Sequence, residues 1–366
     1  MHVCLKCLLI CVTLNFVLGK SKESSNELKS VILFFRHGDR TALETYYDDP
    51  NIFYWVKYGL GRLTDKGEQR MRHLGQFLRK RYDSIWPAKE NLYIRSSRED
   101  RCVESVKHLI TGAYNEDFLS NPVKIYNIPI QDDVMLSTAS LCPGFDEEFV
   151  RVLTLPENQQ WVKAYTPLLK LFMEKYSSQC VQCILSAYRF TDNFVLIKEF
   201  NLTKPNWVND TIIRQINDYS NRLFNEYRRT ILQRRLRGGL FLKDLQDQMD
   251  LIANSKKFYN VRIYSSSQLQ VAEIVSALGV FNNEPPPFGS TIMFELYENN
   301  YDGMNFVRVY YLNDTYSERP HLLKIENCID DEFCSFQKLK LQIEKHIPTD
   351  WRNECGLPQI TNKYNP

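Results

Sequence analysis

Residues 36–41, Arg-His-Gly-Asp-Arg-Thr, are the part of this chain whose residue types are best suited to chemistry. His37 stands next to Arg36 and close to Arg40, and a histidine flanked by permanent cations resists a second positive charge. Its imidazole should therefore stay neutral and nucleophilic. The two arginines offer forked donors that suit phosphate or carboxylate oxygens. A lone histidine often has a purely structural role, but the flanking arginines indicate a phosphate pocket that contains a nucleophile.

A short apolar run, Val-Ile-Leu-Phe-Phe at residues 31–35, directly precedes this segment and must position it. Five consecutive apolar residues are too few for a stable helix and predict a strand buried on both faces, as in a parallel sheet. In open α/β sheets, ligands bind outside the carboxyl ends of the strands. The run therefore places His37 where such folds bind their substrates.

The next elements predict a strand–helix–strand unit. Asp65 and Glu68 are spaced as a capping pair at the start of a helix, whose apolar residues then recur at helical spacing up to Tyr82. Residues 92–94 predict the next strand, which ends at Arg95. A crossover connection between parallel strands puts Arg95 at the same sheet edge as His37.

The pattern changes between residues 115 and 249, where prolines separate two long helical stretches. One stretch covers residues 161–172, and the other covers residues 212–231. We expect this region to form a helical cap inserted into the α/β domain.

The sheet resumes at residues 261–264, and the segments 291–297 and 306–312 alternate like an antiparallel pair near its edge. The expected fold class is α/β: a mainly parallel three-layer α/β/α sheet domain with an inserted helical cap. Its core should consist of about residues 29–114 and 250–366.

Composition narrows the class of protein. The chain has 366 residues, of which 43% are hydrophobic and 13% aromatic, which is enough for one large core. The formal net charge of +2 argues against nucleic acid as a partner.

The N-terminus has the pattern of a secretory signal peptide. Lys6 precedes an apolar run over residues 8–18, and we expect residues 1–19 to be removed by cleavage after Gly19. The remaining chain, residues 20–366, should then be secreted and extracellular, without a membrane anchor. Three Asn-x-Thr acceptor sites for N-glycans fit this expectation: Asn201, Asn209 and Asn313.

Seven of the ten cysteines follow the expected cleavage site, so one of them should be unpaired or should bond to another chain. The spacings Cys180/Cys183 and Cys328/Cys334 suit either disulfides or metal ligands. An oxidising compartment favours disulfides, and we expect no metal site and no cofactor.

With these segments placed, the chain resembles the histidine acid phosphatases, in particular the secreted animal branch that includes prostatic, lysosomal and insect venom acid phosphatases. The resemblance runs along nearly all of the mature chain. Its motifs lie at residues 35–41, 63–67, 79–82, 93–101, 236–240 and 347–355. In that family a histidine attacks phosphorus and forms a phosphohistidine, which water then hydrolyses.

Matched residue by residue, the resemblance implies that His37 is the nucleophile. It implies that Arg36, Arg40 and Arg95 clamp the phosphoryl oxygens, where positioned cations stabilise the charge of the transition state. The implied partners are phosphate monoesters or other phosphorylated ligands, and the resemblance leaves a homodimer open. It also implies two disulfides, which are Cys142–Cys355 and Cys328–Cys334.

One departure from the family concerns the general acid. The family carries a His-Asp pair after the strand that matches residues 261–264, and this chain has Ser267 and Gln268 there. Neither side chain can donate a proton near neutral pH, and losing a general acid costs about a hundredfold to ten-thousandfold in rate.

Two interpretations therefore remain: a slow acid phosphatase, or a catalytically inactive relative that binds phosphate-bearing ligands. A substitute acid could come from Glu99 or Asp100, and less readily from Glu273.

Overall fold

The computed structural model describes residues 26–176, 183–329 and 331–358. The expected signal peptide, Cys180 and the side chain of Cys183 lie outside the described part. The strands are β1 (Asn26–Arg36), β2 (Tyr93–Ser96), β3 (Val261–Ser266), β4 (Thr291–Asn299), β5 (Asn305–Leu312), β6 (His321–Leu322) and β7 (Cys334–Ser335). The α-helices are α1 (Ile52–Tyr58), α2 (Asp65–Arg81), α3 (Asp100–Tyr114), α4 (Pro143–Leu153), α5 (Pro156–Ala164), α6 (Thr166–Tyr176), α7 (Cys183–Glu199), α8 (Asp210–Glu226), α9 (Ile231–Ala253), α10 (Gln268–Ala277), α11 (Phe336–Ile343) and α12 (Trp351–Glu354).

The strands form one open sheet in the order β2-β3-β1-β4-β5-β6, with β7 also paired to β5. This confirms the α/β class. The sheet is mixed: β1, β2 and β3 are parallel, whereas β4 and β5 form the predicted antiparallel pair and β4 runs antiparallel to β1. The short connection between β4 and β5 permits only an antiparallel hairpin, because a parallel pair needs a long crossover.

Helices cover both faces of the sheet. On one face, α2 and α3 pack on alternate residues of β1, which are Val31, Leu33 and Phe35. On the other face, α9, α10 and α11 pack on the intervening residues Ile32 and Phe34. This alternation follows from the period of two in a strand, and it explains why the run at residues 31–35 is apolar throughout.

The helices α4 to α8 lie in the region expected as a cap, and they share a third apolar cluster, the cap cluster, with Leu236 of α9 and with Trp351 and Cys355. Each of the two helical stretches predicted in this region, residues 161–172 and 212–231, is divided between two observed helices. Pro167, which has no N–H for a helix interior, is the second residue of α6. Thr230 starts α9 with a capping box. The long α9 joins both regions, since Leu236 packs in the cap cluster and Phe241 packs against the sheet.

Two disulfides are present in the described residues, and both are the implied pairs. Cys142–Cys355 ties the start of α4 to the residue after α12, and Cys328–Cys334 closes a short loop before β7. Cys102 is a buried free thiol on α3. None of the described helices is long and apolar enough to cross a membrane.

Candidate active site

His37 follows the last residue of β1 and is held in one orientation by its neighbours. Its backbone N–H donates to the Ser266 carbonyl at 3.0 Å, which continues the pairing of β1 with β3. Its Nδ1 lies 2.9 Å from the Gly38 carbonyl oxygen. Since a carbonyl can only accept, Nδ1 carries the hydrogen and Nε2 keeps the lone pair.

The imidazole is neutral because of where it lies. His37 is 2% exposed, and burial lowers its pKa well below the usual value of 6.5, assisted by the charges of Arg101, Arg36 and Arg40. Arg101 Nε donates to His37 Nε2 at 3.2 Å. The lone pair of a neutral imidazole therefore faces a group of cations, which is the state that a nucleophile for an anionic substrate requires.

Each of these three arginines has a partner already. Arg36 Nη1 donates to the Pro286 carbonyl at 2.7 Å. Arg40 binds Asp192 through two hydrogen bonds of 2.8 and 2.9 Å. Arg101 forms an ion pair with Glu99, the residue before α3. Burial lowers the pKa of Arg101 to about 10, so it remains a cation at neutral and acid pH.

Gly38 and Asp39 hold the histidine segment against the start of α2. A Cβ on Gly38 would lie 2.7 Å from the Gly67 carbonyl oxygen, and a Cβ on Gly67 would overlap with the Asp39 carbonyl. The Asp39 side chain is fully buried and forms an ion pair with Arg70 of α2. These contacts explain the second motif, residues 63–67, as the surface on which the histidine segment rests.

The structure does not place Arg95 with the other predicted clamp residues. Arg95 donates to the fully buried Asp133 at 2.8 Å and to the Met135 sulfur. In β2 it is in register with Tyr264, whose ring packs on the α9 face of the sheet. His37 lies toward the α3 face, and the third arginine beside it is Arg101, which belongs to α3.

Arg101 is the residue that sequence reasoning missed. It belongs to the same motif as Arg95, at residues 93–101, so the sequence contained the signal. Choosing between the two required the facing of β2, because successive residues of a strand point to opposite sides of the sheet.

Ser267 and Gln268 lie where the sequence expectation put them, directly after β3 and beside the end of β1. Ser267 is the residue before α10, and its hydroxyl is buried without a hydrogen-bond partner among the described atoms. Gln268 borders a cavity of about 290 Å³ between the sheet edge and the helices α7 and α8. The cavity is lined by Arg36, Arg70, Thr191, Asp192, Val195, Glu199, Asn217, Ser220, Asn221, Gln268, Pro285, Pro287 and Phe288.

The three acids considered as substitute proton donors have different surroundings. Glu99 is paired with Arg101, whereas Asp100 pairs with Arg62 at the surface. Glu273 is fully buried in α10, where burial raises its pKa to about 7 against the charges of nearby arginines. In the described residues, no group of three or more His, Cys, Asp or Glu side chains could hold a metal ion.

The arrangement can perform nucleophilic substitution at phosphorus. His37 Nε2 supplies the electron pair, and the arginines can bind the oxygens on which charge accumulates. The cavity offers room for the rest of a phosphorylated molecule on the cap side.

Comparison with known proteins decides the family. The sequence profile of the Histidine phosphatase superfamily (branch 2) matches residues 27–312. The chain belongs to this family. The family predicted from the motifs is thereby confirmed.

Similar members of this histidine phosphatase family are acid phosphatases. The prostatic acid phosphatase of Mus musculus is 28% identical over 356 residues, which cover 90% of this chain and 90% of that protein. The lysosomal acid phosphatase of Bos taurus is 26% identical over 355 residues, with 92% and 82% covered.

Solved structures share the fold. The phytase from Citrobacter braakii aligns with a TM-score of 0.63 at 16% identity, over 90% of this chain and 99% of that chain. A Hafnia alvei phytase in complex with myo-inositol hexakis sulphate also gives 0.63 at 16% identity, over 91% and 99%. These two likenesses show that the chain shares the fold of these phytases.

Proposed function

We propose that this protein is a secreted acid phosphatase-like enzyme that hydrolyses phosphate monoesters through a phosphohistidine on His37. Nε2 attacks phosphorus, and the bond from phosphorus to the ester oxygen breaks with its electron pair on that oxygen. Water then attacks phosphorus, the P–N bond breaks, and inorganic phosphate leaves. The observation that carries the proposal is the geometry of the His37 ring, whose Nδ1 lies 2.9 Å from the Gly38 carbonyl oxygen and whose Nε2 lies 3.2 Å from Arg101 Nε.

The phosphoryl clamp of this proposal consists of Arg36, Arg40 and Arg101. All three influence His37 electrostatically. Arg95 has no role in the clamp, because its guanidinium is bound to Asp133 on the other side of the sheet.

The rate should be impaired, because Ser267 and Gln268 offer no acid for the leaving group. For the same reason a second candidate function stands beside the first, that of a catalytically inactive relative that binds phosphate-bearing ligands. An aryl phosphate separates the two, since a nitrophenolate leaves without being protonated.

The test is hydrolysis of p-nitrophenyl phosphate and of an alkyl phosphate between pH 4 and 7, with calorimetry of vanadate binding. Wild type should hydrolyse the aryl ester faster than the alkyl ester, and His37→Ala should abolish both activities while the protein stays folded. Arg101→Ala should weaken vanadate binding at least tenfold, whereas Arg98→Ala, an exposed arginine of the same segment, should not. Vanadate binding without hydrolysis of either ester would favour the inactive relative.

Secretion and glycosylation are part of the same proposal. Asn201, Asn209 and Asn313 are all exposed, and two disulfides suit an oxidising compartment. Expression in a secreting animal cell should give a protein in the medium whose electrophoretic mobility increases after N-glycosidase treatment.

A further inference from the structure

Proton delivery to the leaving group is the step for which the His37 site lacks a residue at the family position. In an in-line displacement the leaving oxygen lies opposite the attacking nitrogen. Here the open space beside the arginines is the cavity under α7 and α8, which Arg36 and Gln268 border. A substitute proton donor has to be an acid that lines this cavity.

Two carboxylates line the cavity within the described residues, and their environments differ. Asp192 of α7 has a side chain that is 11% exposed and binds Arg40, one of the clamp arginines. Glu199, at the end of α7, is 40% exposed and pairs with Lys66 at 2.9 Å, away from the clamp. Glu99 does not line the cavity. Asp192 is therefore the acid that lies within reach of a bound phosphoryl group.

Substrate binding changes the surroundings of Asp192. Two hydrogen bonds join it to Arg40 in the free protein, and a phosphoryl dianion needs the same donors. Once displaced, the carboxylate loses its cationic partner and faces a dianion at a poorly hydrated position. Both changes favour the protonated carboxyl. The other charged groups around it are Arg101, Arg36, Arg70 and Glu199, of which Arg70 is itself paired with the buried Asp39.

We infer that Asp192 is the proton donor to the leaving group, an inference that rests on the proposed phosphatase function. Asp192 takes up a proton when the substrate displaces it from Arg40. As the bond from phosphorus to the ester oxygen breaks, the Asp192 O–H bond breaks too, and the alcohol leaves with that proton. The carboxylate then accepts a proton from the water that attacks the phosphohistidine, while the electron pair of the P–N bond returns to Nε2.

The kinetic test compares Asp192→Asn with Glu199→Gln on p-nitrophenyl phosphate and on an alkyl phosphate. Asp192→Asn should lower kcat/KM for the alkyl ester at least about a hundredfold and for the aryl ester by less than about tenfold. Glu199→Gln should leave the ratio of the two values within about threefold. Equal losses on both esters with Asp192→Asn, or faster hydrolysis of both, would overturn the inference and make Asp192 a structural or competing counter-ion.

A binding test is independent of turnover. Sulfate stays a dianion between pH 5 and 6, so calorimetry in buffers of different ionisation enthalpy counts the protons that the protein takes up. Wild type should take up about one proton more than Asp192→Asn, and Glu199→Gln should match wild type. Equal uptake in wild type and Asp192→Asn overturns the inference.

The outcomes also separate this inference from the proposed function. Absence of sulfate binding, or hydrolysis that survives His37→Ala, removes the phosphatase function itself. Adding Ser267→His and Gln268→Asp to Asp192→Asn should restore alkyl phosphate hydrolysis in part, because it returns an acid to the family position. A triple variant no better than Asp192→Asn would argue that the loss was structural and overturn the inference.

Discussion

At the scale of single residues, the state of His37 is set by two hydrogen bonds of its ring and by its burial. The Gly38 carbonyl fixes the hydrogen on Nδ1, Arg101 meets the lone pair on Nε2, and burial excludes water. Burial and the charge of Arg101 favour the neutral ring over the imidazolium, whereas the hydrogen bond to Gly38 selects the tautomer and by itself raises the pKa of the ring. In the proposed mechanism, the surroundings of His37 therefore keep its Nε2 lone pair available below the usual pKa of 6.5.

The pH dependence of kcat/KM should reflect this state. In the proposed mechanism His37 attacks phosphorus only when its ring is neutral, so activity is lost when Nε2 gains a proton. Its pKa is lowered well below 6.5 by burial and by the arginines, so the acid limb for p-nitrophenyl phosphate should fall below pH 6.5. NMR of the labelled imidazole in the free protein checks the assignment. A ring that titrates near pH 6.5 would contradict the geometry of the site.

How far the sequence predicts the site depends on chain proximity. His37, Arg36 and Arg40 come from one segment after one strand, and their convergence needs only the rule that ligands bind at the carboxyl ends of strands. Arg101 needs the facing of β2 and the start of α3. Asp192 lies 152 positions from Arg40 in the sequence, in a helix that no pattern had singled out.

At the scale of helices and strands, the periodicity of apolar residues predicts which faces are buried better than it predicts where one helix ends and the next begins. Trp161 and Leu168 lie on one predicted helix but in two observed ones, because Pro167 interrupts the hydrogen bonding without disturbing the apolar spacing. Both residues nevertheless pack in the cap cluster. The burial of these residues was predictable, whereas the boundary depended on local backbone chemistry.

Arg101 lies on α3, and the packing of α3 against α2 depends on two glycines. A Cβ on Gly75 would overlap with the Leu109 carbonyl, and a Cβ on Gly112 would overlap with the Arg72 carbonyl. The two helix backbones are therefore closer than any side chain allows.

Gly75→Ala should lower the free energy of unfolding by about 2 kcal/mol or more, because overpacking forces the helices apart and outweighs the better helix propensity of alanine. Urea denaturation measures the change. Gln76→Ala, at the next and exposed position of the same helix, is the matched control and should change stability by less than about 0.5 kcal/mol. A Gly75→Ala protein as stable as this control would show that α2 and α3 can separate at little cost.

At the scale of the whole molecule, the proposed site is built from two regions whose relative position must be maintained. The sheet region supplies His37 and its arginines, and the cap supplies α7 and α8 above the cavity. Connections between them in the described residues include α9, which packs in both regions, and the ion pair of Arg40 with Asp192. The disulfide Cys142–Cys355 ties the C-terminal segment after α12 to the start of α4 within the cap cluster. Loss of one connection should therefore affect both stability and substrate binding.

The two disulfides should differ in effect because they enclose very different lengths of chain. Cys142 and Cys355 are 213 positions apart, whereas Cys328 and Cys334 are 6 apart. Loop-closure entropy alone gives about 5 kcal/mol for the long loop and about 2 kcal/mol for the short one. Replacing Cys142 and Cys355 by serine should thus destabilise the protein more, as measured by urea denaturation.

The same double serine variant should also raise KM for p-nitrophenyl phosphate, because the cap no longer holds α7 over the arginines. The Cys328/Cys334 double serine variant is the control and should keep KM within about twofold. If both variants lose the same stability with unchanged KM, the long disulfide does not hold the cap over the site.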